Sequence, residues 1–173
     1  MLAQNYNKHI PGLVISKYAP SDLSLLLPLL AEEFPNWNFD KLKSYINLVL
    51  KKKSNGILVV KNNALYNLGL LIYSIQDISA KNLCKNKKEE FTKCLIVENL
   101  IVSSPVLERK IFLLLVEKAI DIAENNSCEF IELPRFNQSF DLIKDKYKEN
   151  IINLNGWRTF IKIEKILTAN KEL

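Results

Sequence analysis

The stretch VENLIVSSPVLERKIFLLLV, residues 97–116, decides the fold. Its first residues complete the run CLIVENLIV (Cys94–Val102), whose near-continuous apolar character predicts a central strand covered on both faces. The break that follows contains Ser104-Pro105, a good N-cap and first helical residue. From Pro105 to Asn125, the spacing of Ile111, Leu114, Leu115, Lys118, Ala119 and Ile122 predicts a long helix with one buried stripe. A buried strand feeding directly into such a helix points to an α/β layer architecture.

Upstream, LVISKY (Leu13–Tyr18) predicts a first strand. A leucine-rich helix is expected to start at Ser21 or Asp22, with Pro28 kinking or splitting it. A second helix follows, capped by Asp40, with Leu42, Tyr45, Ile46 and Val49 as its buried stripe. Lys51, Lys52 and Lys53 at its end complement the helix dipole. ILVVK (Ile57–Lys61) and LGLLIYSIQ (Leu68–Gln76) predict two more strands, and the basic stretch from Asp77 to Lys93 an exposed connection. Downstream come the strand CEFIELP (Cys128–Pro134), a short helix in NQSFDLIKDKYKEN, and one or two strands in IINLNGWRTFIKIEKIL. The order is β-α-α-β-β-β-α-β-α-β, a mixed, mostly antiparallel sheet flanked by helices. Residues 1–12 are expected to be an N-terminal extension and residues 13–173 one domain.

The composition narrows the function classes. With 173 residues, 48% hydrophobic and 25% charged, the chain can bury a sizeable core. No apolar run is long enough to span a membrane, and no signal-peptide pattern opens the chain, so a cytoplasmic protein is expected. Cys84, Cys94 and Cys128 are widely spaced and the single histidine, His9, has nothing nearby to hold it, so no metal site is expected. The net charge of +5 comes mostly from lysine; only Arg109, Arg135 and Arg158 are arginines. Nucleic-acid readers favour arginine forks interleaved with aromatics, which argues against a nucleic-acid partner.

VENLIVSSP, the long helix and buried FIEL strand after it, and the ending NQSFDLIKDKY…NGW together resemble the GNAT superfamily of acyl-CoA-dependent N-acyltransferases. The resemblance runs from about Leu13 to Leu167. It implies that the fourth and fifth strands splay apart and that backbone groups of Leu100, Ile101 and Val102 pair with the pantetheine arm of acetyl-CoA or another acyl-CoA. It implies that the pyrophosphate lies at the start of the next helix, an anion site by virtue of its orphan N–H groups. The family motif there, Gln/Arg-x-x-Gly-x-Gly/Ala, falls on Leu107–Phe112, so Lys110 and Phe112 replace the glycines. Either the site is degraded at this point, or Arg109 and Lys110, beside Ile111, hold the cofactor through side chains in place of backbone donors. Asn137 corresponds to the family asparagine near the pantetheine.

The resemblance further implies chemistry. Glu98 stands where some members carry a carboxylate that draws a proton from the amine, and otherwise is a solvent-facing charge. Tyr147 corresponds to the tyrosine that protonates the leaving thiolate; if Asn155-Gly156 is instead a hairpin turn, Tyr147 is a helix surface or core residue. Glu132 is a second acid for the acceptor side. Glu33 and Trp37 are candidates to attract and stack on a cationic amine, the alternative being exposed acid and a Trp37 lid on the helix pair. The implied function is N-acetylation of a small-molecule or peptide amine by direct transfer in a ternary complex. A catalytically inactive ligand-sensing or protein-binding module is the alternative, and a homodimer is compatible with either.

Overall fold

Seven strands form one mixed sheet in a computed structural model that describes residues 12–63, 66–79, 91–103, 106–134, 140–153 and 158–163. The elements are β1 (Leu13–Lys17), a 3-10 turn (Pro20–Asp22), α1 (Leu23–Glu33), α2 (Phe39–Lys51), β2 (Asn55–Asn62), β3 (Asn67–Ser79) and β4 (Phe91–Val102). They continue with α3 (Glu108–Asn125), β5 (Phe130–Pro134), α4 (Phe140–Lys146), β6 (Ile151–Asn153) and β7 (Arg158–Lys162). The strand order is β1-β2-β3-β4-β5-β7-β6, antiparallel throughout except that β4 and β5 run parallel. This is the mixed, mostly antiparallel α/β architecture expected, with two strands at the end.

Helices cover both faces. Leu26, Leu30, Leu42 and Ile46 of α1 and α2 pack on Ile57, Val59, Leu70, Ile72 and Ile101. Ile111, Phe112, Leu115 and Ala119 of α3 pack with Leu71, Leu95, Val97 and Ile131 on the opposite face. Being covered on both sides is why β4 carries so few polar residues.

Several local expectations are corrected. Pro28 neither splits nor ends α1, which runs unbroken through it. The ring lies on the exposed face, and the carbonyl it leaves unbonded belongs to exposed Ser24, where water can serve it. The cap of α2 is Asn38, whose Oδ1 accepts from Lys41 N at 2.9 Å, and Asp40 lies inside the first turn. The connection after Gln76 is shorter than expected, because β3 and β4 stay paired out to Ser79 and Phe91. Helix α3 begins at Glu108, three residues after Pro105; Ser104 and Pro105 lie outside the described residues. So does the N-terminal extension, apart from Gly12.

Two irregularities in β4 position everything that follows. Ile72 pairs with Asn99 whereas the next residue, Tyr73, pairs with Val97, so Glu98 is an extra residue, a β-bulge. In addition, β4 pairs with β5 only at Cys94–Phe130, Leu95–Ile131 and Ile96–Glu132. Beyond Ile96, among the described residues, β4 stays paired with β3 alone while β5 continues beside β7.

Candidate functional site

The bulge changes which side chains share a face. Leu95 and Val97 point into the α3 layer, so Cys94, Ile96 and Glu98 point to the other side. After the extra residue the alternation is shifted: Leu100 faces α3, and Asn99 and Ile101 face α1 and α2. Consecutive residues Glu98 and Asn99 therefore emerge on the same face, which a regular strand does not permit.

A polar group surrounds them. Ser74 Oγ, on β3, donates to Glu98 Oε1 at 2.8 Å, and Gln76 Nε2 donates to Ser74 Oγ at 2.8 Å. Tyr45 Oη, on α2, donates to Asn99 Oδ1 at 2.8 Å. Burial raises the pKa of Tyr45 above its ordinary value, and the charge of Glu98 adds to the effect. On β5, the buried Glu132 lies beside Ile96 on the same face and is ion-paired with Arg158 of β7. Glu132 also raises the pKa of Arg158, chiefly through that hydrogen bond, with a smaller contribution from the charge of Glu98. Two carboxylates from the two parting strands thus share one face, with the half-exposed guanidinium of Arg158 paired to one of them.

The expected site residues divide by location. Glu98 and Glu132 lie on the same face of neighbouring strands, and the charges of both act on Arg158. Trp37 stacks on Phe34 at 4.5 Å between ring centroids, meets Tyr45 edge-on at 5.6 Å, and carries the Lys41 ammonium 4.5 Å over its ring. Phe34 and Lys41 occupy part of its ring surface, and through Tyr45 it braces the Asn99 side of the bulge. Glu33 closes α1 and is exposed. Between α1 and α2 opens an apolar hollow of about 430 Å³ lined by Leu27, Pro28, Ala31, Trp37, Phe39 and Leu42, which shares none of the carboxylates.

Leu100, Ile101 and Val102 lie on the part of β4 that has left β5. In the first turn of α3, Arg109 and Lys110 are exposed, while Ile111 and Phe112 are buried in the α3 layer. Any contact from Ile111 to a ligand is therefore limited to its backbone. Asn137 lies outside the described residues. Tyr147 is not brought to Glu98: it is buried on the α3 side of the sheet, among Ile143 and the α3 side chains. Burial pushes its hydroxyl pKa well above the ordinary value, with Glu117, Asp121 and Glu124 adding to the rise. Those acids belong to the C-terminal half of α3, far from its first turn. The strands β6 and β7 pair antiparallel with Asn153 opposite Thr159, a register that leaves five residues between the paired ends and not the two of an Asn155-Gly156 turn; Asn155 and Gly156 lie outside the described residues.

Sequence reasoning missed Tyr45, Ser74, Gln76, Asn99 and Arg158. The signal was present: Glu98-Asn99 is an adjacent polar pair inside an apolar central strand, which is what a bulge leaves in a sequence. Among the described residues no group of His, Cys, Asp and Glu side chains is arranged to hold a metal ion, and no helix is long and apolar enough to cross a membrane.

No family model matches the chain. Its match to the 4-hydroxy-3-methylbut-2-enyl diphosphate reductase of Caldanaerobacter subterraneus subsp. tengcongensis is 26% identical over 108 residues, covering 56% of this chain and 37% of that protein. The chain thus spans little more than a third of the length of that relative, and the likeness assigns it no activity. Solved structures are more informative about the fold. A GNAT family acetyltransferase of Staphylococcus aureus is 13% identical, with 75% of this chain and 90% of that one covered at a TM-score of 0.60. A spermidine N-acetyltransferase chimera from Vibrio cholerae and hSSAT is 18% identical, covering 91% and 99% at 0.62. An aminoglycoside N-acetyltransferase in complex with CoA is 12% identical, covering 79% and 85% at 0.62. Across most of its length, this chain has the fold of the GNAT acetyltransferases.

Proposed function

We propose that this protein is an acyl-CoA-dependent N-acyltransferase whose acceptor is a small-molecule or peptide amine and whose base is Glu98. The observation that carries this reading is the coincidence on one strand of the bulge at Glu98 and the parting from β5 that begins beside it. Among the described residues, the parting leaves one edge of β4 without a paired strand where Leu100, Ile101 and Val102 lie, which suits an extended pantetheine arm. Arg109 and Lys110 supply exposed cations at the α3 terminus to hold a diphosphate by charge-assisted bonds. The residues present fit the cofactor in this form, with side chains in place of glycine backbone. Asn137 is assigned to the same groove by resemblance alone.

When bound, acetyl-CoA supplies an activated acyl group with a good leaving thiolate. The chain's own residues do the rest. Glu98 and Glu132 draw a cationic amine to the α1–α2 face of the sheet, and Arg158 offsets one of the two charges. Glu98 accepts the proton that the amine must lose to become a nucleophile. Direct transfer is favoured because, of the described residues, Cys94 and Cys128 are buried and their thiol pKa values are raised, chiefly by that burial, which makes them poor nucleophiles. Tyr147, in the core of the other face, has no part in this reading. Glu33 is a candidate for the rim of the acceptor site.

The inactive-module reading keeps one specific observation in its favour. Phe112, at a glycine position of the family motif, is 2% exposed and part of the core. That reading predicts no turnover on any amine, and acyl-CoA binding weakened or lost where Phe112 fills the cradle.

The discriminating experiment presents acetyl-CoA with n-butylamine, 1,4-diaminobutane, an aminoglycoside and a lysine peptide, and detects acetylated product by mass spectrometry. Wild-type protein acetylates at least one amine, and Glu98→Gln lowers kcat about 100-fold or more at unchanged melting temperature. Wild type without product on any amine contradicts the enzyme reading, and full activity in Glu98→Gln removes Glu98 from the mechanism.

A further inference from the structure

We infer that Ser74 is a positioning residue for Glu98 and that Gln76 fixes the direction in which it acts; the inference rests on the reading of Glu98 as the base. Ser74 lies opposite Ile96, just before the bulge, and is 3% exposed. A hydroxyl buried to that extent is costly without partners, and both of its partners belong to the site. It has one proton to give. Gln76 reaches it through Nε2, which can only donate, so the Ser74 proton is committed to Glu98 Oε1. The reverse arrangement, with an amide oxygen facing Ser74, would leave one proton for two acceptors. The chain Gln76→Ser74→Glu98 therefore satisfies its groups in one sense only.

The consequence is geometric. Glu98 is an exposed side chain on a bulge, where a free carboxylate would sample several rotamers. The bond from Ser74 holds one oxygen and leaves Oε2 for the acceptor's proton. On the other side of the bulge, Tyr45 holds Asn99 in the same manner. Arg158 and Glu132 face the same region from β7 and β5 and set its charge rather than its orientation. Sequence could not supply this, because Ser74 and Gln76 read as the polar half of an ordinary alternating strand.

The test uses the full chain, acetyl-CoA and whichever amine of the panel above wild type turns over fastest. Ser74→Ala lowers kcat about tenfold while KM for acetyl-CoA stays within about twofold, part of the 10²–10⁴ available to a well-placed base. Ser74→Thr, which keeps the hydroxyl, restores kcat. Gln76→Glu changes an exposed residue, so folding is preserved, but it turns the donor into an acceptor that competes for the Ser74 proton; its kcat falls as in Ser74→Ala. A merely structural serine would show a lower melting temperature in Ser74→Ala and no response to Gln76→Glu. Normal kcat in Ser74→Ala or Gln76→Glu, beside an inactive Glu98→Gln, overturns this inference and leaves Glu98 as the base. Absence of turnover in wild type overturns both.

Discussion

Gly69 of β3 lies opposite Val102 of β4, and a Cβ placed on it would sit 2.6 Å from Cγ2 of Ile111. The missing side chain is what lets the first buried residue of α3 dock against the sheet beside the parted end of β4. Ile111 is β-branched and stiff, so it cannot move aside cheaply. Gly69→Ala is expected to cost about 1–3 kcal/mol through overpacking. It should also weaken acetyl-CoA binding by displacing the first turn of α3. Thermal melts with and without acetyl-CoA check both, and an unchanged melting temperature would show that α3 is not seated through this contact.

The same turn carries the two cations assigned to the diphosphate. Arg109→Ala with Lys110→Ala should weaken CoA binding about tenfold to a hundredfold, because hydrogen bonds to charged groups contribute roughly 1.5–3 kcal/mol and these are exposed. The salt dependence of binding should flatten in parallel. Titration calorimetry at two salt concentrations measures both effects. Unchanged affinity would remove both side chains from the cofactor site.

Alkaline pH should destabilise the fold. Burial raises the pKa of Cys94 above its ordinary 9.0 and that of Tyr147 above its ordinary 10.0. Both are neutral acids whose folded pKa exceeds the unfolded one, so the unfolded chain releases its protons first. Their contribution is complete below about pH 9 and is lost progressively as pH rises beyond it. Denaturant melts from pH 7 to 11 should show this decline, with a shallower slope above pH 10 in Tyr147→Phe. An identical slope in that variant would contradict the burial of the Tyr147 hydroxyl.

Much of the architecture was legible because it is written in periodicity. The apolar run of β4 required cover on both faces, and the stripe of α3 fixed its inner side; both hold, since each depends on local spacing. What escaped depends on pairing between distant segments. The bulge at Glu98 is a register difference between β3 and β4, and a single strand's pattern hints at it only through the adjacent Glu98 and Asn99. Ser104-Pro105 satisfies the local rules for a cap, yet α3 begins at Glu108, with Val106 and Leu107 in a turn before it. Spacing alone does not decide whether Trp37 offers its face to a cation or lids the helix pair; the packing does, with Phe34 stacked on it and Lys41, four residues on, over its ring. The partners of Glu98 and Glu132 were invisible for the same reason: Ser74 and Arg158 lie 24 and 26 residues from them along the chain.

The most direct test of the account is the melting temperature of the full chain with acetyl-CoA, run beside dephospho-CoA and adenosine diphosphate. Ligand at about 100 times its Kd adds roughly 2.7 kcal/mol, which for a domain of this size is a rise of roughly 5–10 °C. The account predicts that rise with acetyl-CoA and a smaller one with adenosine diphosphate, which reaches Arg109 and Lys110 but not the parted edge of β4. No shift at millimolar acetyl-CoA would contradict it.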